Sequence, residues 1–191
     1  MTISHVNRHG ATYYLHEGKT KTGKPKWHFS KKASGGTESR IPDGHEIFED
    51  HRGQPHVRPI KPKLIRPEEI AMIEKTIRET TRLRHFLVQD DEEKIIVYTP
   101  SQSPSAIDEM IGEFGFMGTQ ALRDKFEKRS PLAPMMRFTL DDSGDKRRFG
   151  VERWCFRGSI DGWFHLSGGS LDAVARKYLP HLDKESFFEL M

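Results

Sequence analysis

The chain has 191 residues, of which 35% are hydrophobic and 31% charged, with 12 Phe, 4 Tyr and 3 Trp. This length allows one or two domains, and the aromatic content suffices for a modest core, which excludes a chain disordered throughout. The net charge of +3 is unevenly spread: residues 1–66 carry 13 Lys/Arg against 6 Asp/Glu, or +7, and residues 67–191 carry 18 against 22, or −4.

The apolar runs, such as Phe86-Leu87-Val88 and Ile95-Ile96-Val97, are far shorter than the roughly 18 residues of a membrane helix. Met1 to Gly10 is polar and does not read as a signal peptide. Cys155 is the single cysteine and has no internal partner. These features lead to the expectation of a reducing, cytoplasmic setting.

In chain order, residues 11–16 predict a strand, because aromatic and β-branched side chains suit a pleated surface. Residues 17–25 predict a turn marked by Gly18, Gly23 and Pro25, and residues 26–30 the returning strand, with Trp27 and Phe29 on one face. After a loop at 31–40, residues 45–48 and 55–58 predict a second hairpin across 50–54. Residues 1–58 therefore read as one three- or four-stranded antiparallel sheet, basic and too small to be more than marginal alone. Three prolines within residues 59–67 predict an extended linker.

The second unit, residues 68–191, opens with a helix from Pro67 to about Arg82, with Ile70, Ile73 and Ile77 on one face. Strands at 86–88 and 95–98 flank an acidic turn, Asp90 to Glu93. Helical pieces follow over 105–128, broken near Gly112, Gly115 and Gly118. Strands at 136–140, 148–156 and 162–166 predict a meander. Ser170 suits the cap of a helix over 171–178, and Phe187-Phe188 the tucking of the tail onto the core. The fold class is α+β: a small antiparallel β-rich N-terminal unit plus a larger α+β unit with an antiparallel meander.

Most chemical motifs fail on spacing. Gly18-Lys19-Thr20 lacks the glycine of a phosphate loop five residues earlier, where Tyr13 stands, and it lies in a hairpin turn. His5, His9, His16, His28, His45, His51 and His56 crowd the first unit, but without cysteines or tight ligand spacing they predict no metal site. Cys155 reads as a buried structural residue, with His165 as the one partner a hairpin would offer for catalysis. Gly158 to Gly162 is not the serine elbow of hydrolases, and Asp141, Asp142 and Asp145 lack the ligand alternation of a calcium loop. No catalytic residue and no cofactor are predicted.

What remains is the basic hairpin. Lys19, Lys21, Lys24 and Lys26 cluster at its turn, Lys31 and Lys32 lie just beyond, and Tyr13, Tyr14, Trp27 and Phe29 flank them. Lysines supply phosphate contacts and exposed aromatics stack on unpaired bases, so Lys19, Lys21, Lys24, Lys26, Trp27, Lys31 and Lys32 are candidate nucleic-acid contacts. The same lysines also serve as edge protection against aggregation. Further on, two Arg and two Trp lie within residues 153–163, and Arg157 and Trp163 are the candidate partner-binding residues.

The stretch from Asn7 to Pro25 resembles the opening of a group of bacterial proteins with no assigned activity, and so does the stretch from Glu152 to Asp161. The resemblance implies no activity, cofactor or site residue. The leading expectation is a non-enzymatic protein that contacts nucleic acid or another polyanion through the hairpin. Beside it stands a protein adaptor or assembly subunit using the region of Trp163. Third is an enzyme whose site assembles from distant residues, such as His165 with Cys155 or Asp161.

Overall fold

The computed structural model describes residues 2–34, 39–101, 124, 128–144, 146–155 and 161–191. The chain divides into two compact units, Met1–Lys61 and Pro62–Met191. The fold is α+β with a β-rich N-terminal part, and all of its sheets are antiparallel.

In the first unit, β1 (Ser4–Val6), β2 (Thr12–Lys19) and β3 (Pro25–Ser30) form one sheet. Strands β4 (His45–Glu49) and β5 (Pro55–Pro59) form a separate two-stranded sheet. The single sheet expected over residues 1–58 is thus two sheets, and β1 is an extra strand. Its three residues alternate too briefly to register as a pattern in the sequence. Pairing with Thr12–Tyr14 of β2 is what makes them a strand.

Leu15, Phe29 and Pro55 are the buried apolar side chains among the described residues of this unit. Polar contacts supply much of the remaining cohesion. Asn7, itself buried, caps the β1–β2 turn through Oδ1, which accepts the amides of His9 (3.1 Å) and Ala11 (2.8 Å). Its Nδ2 donates across to the carbonyl of Gly53 in the β4–β5 turn, 2.6 Å away. Beside it, Arg8 Nε donates to Glu49 Oε1 at 2.5 Å, and the same guanidinium reaches the carbonyl of Asp50. His5 Nε2 meets Glu49 Oε2 at 3.0 Å. The two turns are therefore interlocked by side chains separated by more than forty positions in the chain.

The second unit is a five-stranded meander ordered β10-β9-β8-β7-β6, with β6 Leu87–Asp91, β7 Lys94–Pro100, β8 Leu132–Asp141, β9 Arg148–Cys155 and β10 Gly162–Gly169. Helix α1 (Pro67–Thr80) precedes it, and α2 (Leu171–Tyr178) follows, leading into short 3-10 turns at Leu179–His181 and Glu185–Glu189. Ile73 and Ile77 of α1, Val174 and Ala175 of α2, and Ile95, Val97, Met136, Phe138, Phe149 and Val151 of the strands make one core. The helices thus cover a single face of the sheet.

Helix α1 stops at Thr80, short of the expected Arg82, because Thr81 is extended and turns its hydroxyl back onto the Ile77 carbonyl. At its start, Glu69 accepts the Arg66 amide at 2.8 Å and holds Arg147 through two oxygens, at 2.5 and 2.9 Å. This fastens the first helical turn to the loop between β8 and β9. Part of the expected linker is packed: Ile65 is 5% exposed and belongs to the core, and the Leu64 carbonyl accepts from Arg147. The β6–β7 turn is tighter than expected. Asp91 pairs with Lys94, leaving only Glu92 and Glu93 to turn, and Glu92 adopts a left-handed φ of 57°.

At the tail, Phe187 is fully buried while Phe188 is 59% exposed, so only one of the pair tucks onto the core. The expected helices over 105–128 lie outside the described residues, apart from Asp124 and Lys128, as do Gly35 and Gly36. No described helix is long and apolar enough to cross a membrane.

Candidate functional site

The β2–β3 hairpin carries most of the predicted site residues. Its strands run further than expected, with Lys19 paired to Pro25, so the turn proper is Thr20 to Lys24. The turn is well tied. The Thr20 amide donates to the Lys24 carbonyl at 2.8 Å, the Gly23 amide donates to the Thr20 carbonyl at 2.9 Å, and Thr20 Oγ1 accepts the Lys24 amide at 3.1 Å. Gly23 sits at φ 80°, where a side chain would be strained, which accounts for a glycine at this point.

Every residue from Lys19 to Lys26 is exposed, and so are Lys31 and Lys32. Among the described residues none of these six lysines forms an ion pair. The acids of the unit are taken up elsewhere: Glu49 by Arg8 and His5, Glu46 by Arg58 at 2.9 Å, Asp50 by His56 at 3.1 Å, and Asp43 by Arg40 at 2.9 Å. Glu46, Glu49 and Asp43 thus lie against arginines and Asp50 against His56, while the lysine charge faces solvent together with the exposed Glu17 of β2.

The flanking aromatics behave differently from the lysines. Phe29 is buried, and Trp27 is half-buried against His45, with ring centroids 6.1 Å apart. Tyr13 lies under the Lys31 ammonium, 5.6 Å from the ring centroid, and His16 stacks on His28 at 5.5 Å. The rings brace the base of the hairpin. Trp27 was predicted as a contact residue on the assumption that it faced outward, and its packing leaves it a partly covered surface.

The histidines also disperse into structural roles. His5 and His56 pair with carboxylates, His16 Nε2 lies 2.9 Å from the Lys32 carbonyl, and His45 Nδ1 lies 3.0 Å from the Asp43 carbonyl. His9 packs so closely on Gly53 that a Cβ there would fall 2.5 Å from its ring. Burial holds His51 below the ordinary histidine value. No group of three or more His, Cys, Asp or Glu among the described residues is arranged to hold a metal ion.

Burial also works to raise Glu49, yet the hydrogen bonds from His5 and Arg8 outweigh it and hold the carboxyl below its usual value. Asp50 is held low in the same way, by the Gln54 amide, His56 and the Arg52 amide acting against burial. Both carboxylates are anchors for the hairpin's base. Sequence reasoning missed Asn7, Arg8, Glu49 and Gly53 as the residues that seat the site. The one available signal was the pair of glycine turns, at Gly10 and Gly53.

In the second unit, the register pairs Trp163 with Trp154 and His165 with Glu152 across β9 and β10. These residues share the sheet face opposite the helices. The Trp154 and Trp163 rings meet edge to face with centroids 5.2 Å apart, and Arg137 lies 4.5 Å over Trp163 while its Nε donates to Glu152 at 2.6 Å. Trp163 is thus half-buried and held from two sides. Arg157, its predicted companion, lies outside the described residues.

Cys155 is buried and pairs with Gly162. It stands three positions from Glu152 along β9, an odd number, so it faces the other side of the sheet from His165. A catalytic Cys155–His165 pair is therefore not formed.

No protein-family model, curated protein or solved structure matches the chain.

Proposed function

We propose that the β2–β3 hairpin binds nucleic acid through the phosphate backbone, as a binding element and not as part of a catalytic centre. The observation that carries this reading is the separation of charges in the first unit. Six exposed lysines without an ion-pair partner among the described residues sit on the hairpin and just past its end, against one exposed carboxylate there, Glu17, while Glu46 and Glu49 are paired with arginines. A lysine ammonium released from internal pairing keeps its full attraction for phosphate, and each phosphate neutralised releases condensed counterions. The tied turn supports the same reading, because a tip ordered in advance loses little freedom on binding.

The test is fluorescence anisotropy of labelled oligonucleotides titrated with the full chain at two salt concentrations. Four phosphate contacts lower the affinity roughly 100-fold between 50 and 200 mM salt. The quadruple variant Lys19→Glu, Lys21→Glu, Lys24→Glu, Lys26→Glu is expected to abolish binding with its fold unchanged, since all four side chains are exposed. Binding indifferent to salt, or unaltered in that variant, refutes the proposal.

A further inference from the structure

We infer that the ligand of this hairpin is a B-form DNA duplex, entered through the major groove by the hairpin tip; the inference rests on the phosphate-binding reading above. Three features of the tip lead to it.

The first is the distribution of charge around the ribbon. Lys19 lies opposite Pro25, and Lys26 lies opposite Gly18, in adjacent rows of the ladder. Side chains of adjacent rows emerge on opposite faces. Lys19 and Lys26 therefore project to the two sides of the ribbon, with Lys21 and Lys24 in the turn between them. A single strand lying across a sheet needs charge on one face. A ribbon charged on both faces fits between two rows of phosphates, the arrangement that the walls of a duplex groove present.

The second is size. Beyond the row of Glu17 and Trp27, where packing on His45 begins, the tip extends two paired rows and the turn. From Glu17 to Thr20, where the turn begins, three residues at about 3.3 Å each span about 10 Å. Paired strands lie about 4.8 Å apart. A B-DNA major groove, about 12 Å wide and about 8.5 Å deep, admits a two-stranded ribbon of this kind.

The third is what the tip lacks. Single-strand binders combine a basic groove with exposed aromatic platforms. Here Phe29 is buried, Trp27 is packed on His45, and Tyr13 lies under Lys31. No aromatic residue stands among the eight exposed residues from Lys19 to Lys26. Thr20 and Thr22, whose hydroxyls lie 3.0 Å apart, are the uncharged polar groups at the point of deepest entry.

The experiment compares a 16-base-pair DNA duplex, an RNA duplex of the same sequence and a DNA single strand with the same number of phosphates, each titrated with the full chain in one buffer. The RNA duplex offers similar charge, but its major groove is deep and too narrow for side chains to read. The DNA duplex is expected to bind at least tenfold more tightly than either alternative. Lys19→Glu and Lys26→Glu, made separately, are each expected to weaken duplex binding several-fold. Equal or tighter binding of the RNA duplex or of the single strand overturns the inference while leaving phosphate binding intact. So does full duplex affinity in either single variant. Failure to bind any of the three in a salt-dependent manner removes the phosphate-binding reading and this inference with it.

Discussion

Replacing Glu49 by Gln tests whether the interlock of the two turns holds the candidate site in place. The Glu49 carboxylate accepts from Arg8 Nε at 2.5 Å, from the Arg8 amide at 3.2 Å and, on its other oxygen, pairs with His5 at 3.0 Å. Its side chain is 17% exposed and those of Arg8 and His5 are 26% and 27% exposed, so water screens the group only in part. Hydrogen bonds to charged groups contribute about 1.5–3 kcal/mol each. Partial exposure, and the amide oxygen that Gln retains, reduce the loss to about 2 kcal/mol for the whole cluster. That equals the contribution of one buried Leu or Phe, and this unit has only Leu15, Phe29 and Pro55 buried among its described apolar residues.

The assay is hydrogen exchange of the β2 and β3 amides, with β8 and β9 of the other unit as an internal control. A loss of about 2 kcal/mol accelerates exchange about 30-fold, at 1.4 kcal/mol per factor of ten. The effect has a defined pH course. Because the folded carboxyl titrates below its ordinary value, its stabilisation is complete above about pH 4.5 and is lost as pH falls through the lower folded value. Wild type and Glu49→Gln should therefore differ fully at pH 7 and converge in stronger acid. Less than threefold acceleration at pH 7, an equal acceleration in β8 and β9, or a gap that does not narrow as pH is lowered below 4.5 refutes the reasoning.

Glu69→Gln should lower the stability of the second unit by about 2–3 kcal/mol, since it weakens the two-oxygen grip on Arg147 and the acceptor for the Arg66 amide. Glu69 is also held below its ordinary value, its hydrogen bonds from Arg147 and Arg66 overcoming burial. Urea denaturation followed by tryptophan fluorescence should show the loss in full at pH 7 and a narrowing difference as pH falls from about 4.5 through the lower folded value. Gly53→Ala and Gly10→Ala form a matched pair, because both glycines have a φ of 78°. At Gly10 nothing lies within 4 Å of the added methyl, so only the backbone cost of about 1–2 kcal/mol applies. At Gly53 the methyl meets the His9 ring at 2.5 Å, so thermal unfolding of Gly53→Ala should come measurably earlier than that of Gly10→Ala, and equal midpoints would contradict the close packing of the two turns.

The meander of the second unit was legible in the sequence because its strands are long enough for alternation to show. Arg148 to Glu152 alternates, with Phe149 and Val151 buried on the face it specifies; Arg153 and Trp154 break the pattern, Arg153 being buried on the core side. The helix over 171–178 was equally legible, with Ser170 accepting the Ala173 amide at its start. The basic hairpin was visible as well: glycines and a proline mark a turn, and lysines flank it.

Other features depended on partners that are distant in the chain. Strand β1 is three residues long and exists through its pairing with β2. The separation of β4 and β5 into their own sheet follows from which edges pair, and local propensity carries no record of that. The same holds for the candidate site. Sequence supplied the lysines and their neighbours, whereas the availability of each group was set by tertiary contacts. Trp27 meets His45, eighteen positions away, and becomes a brace. Cys155 and His165 are near in sequence, but Cys155 stands an odd three positions from Glu152, the partner of His165, which puts the two on opposite faces. Charge composition thus determined that this unit is basic. Only the tertiary structure decided that Glu46 and Glu49 are taken up by Arg58 and Arg8, because an ion pair depends on distance in space, and that the lysines of the hairpin are turned to solvent.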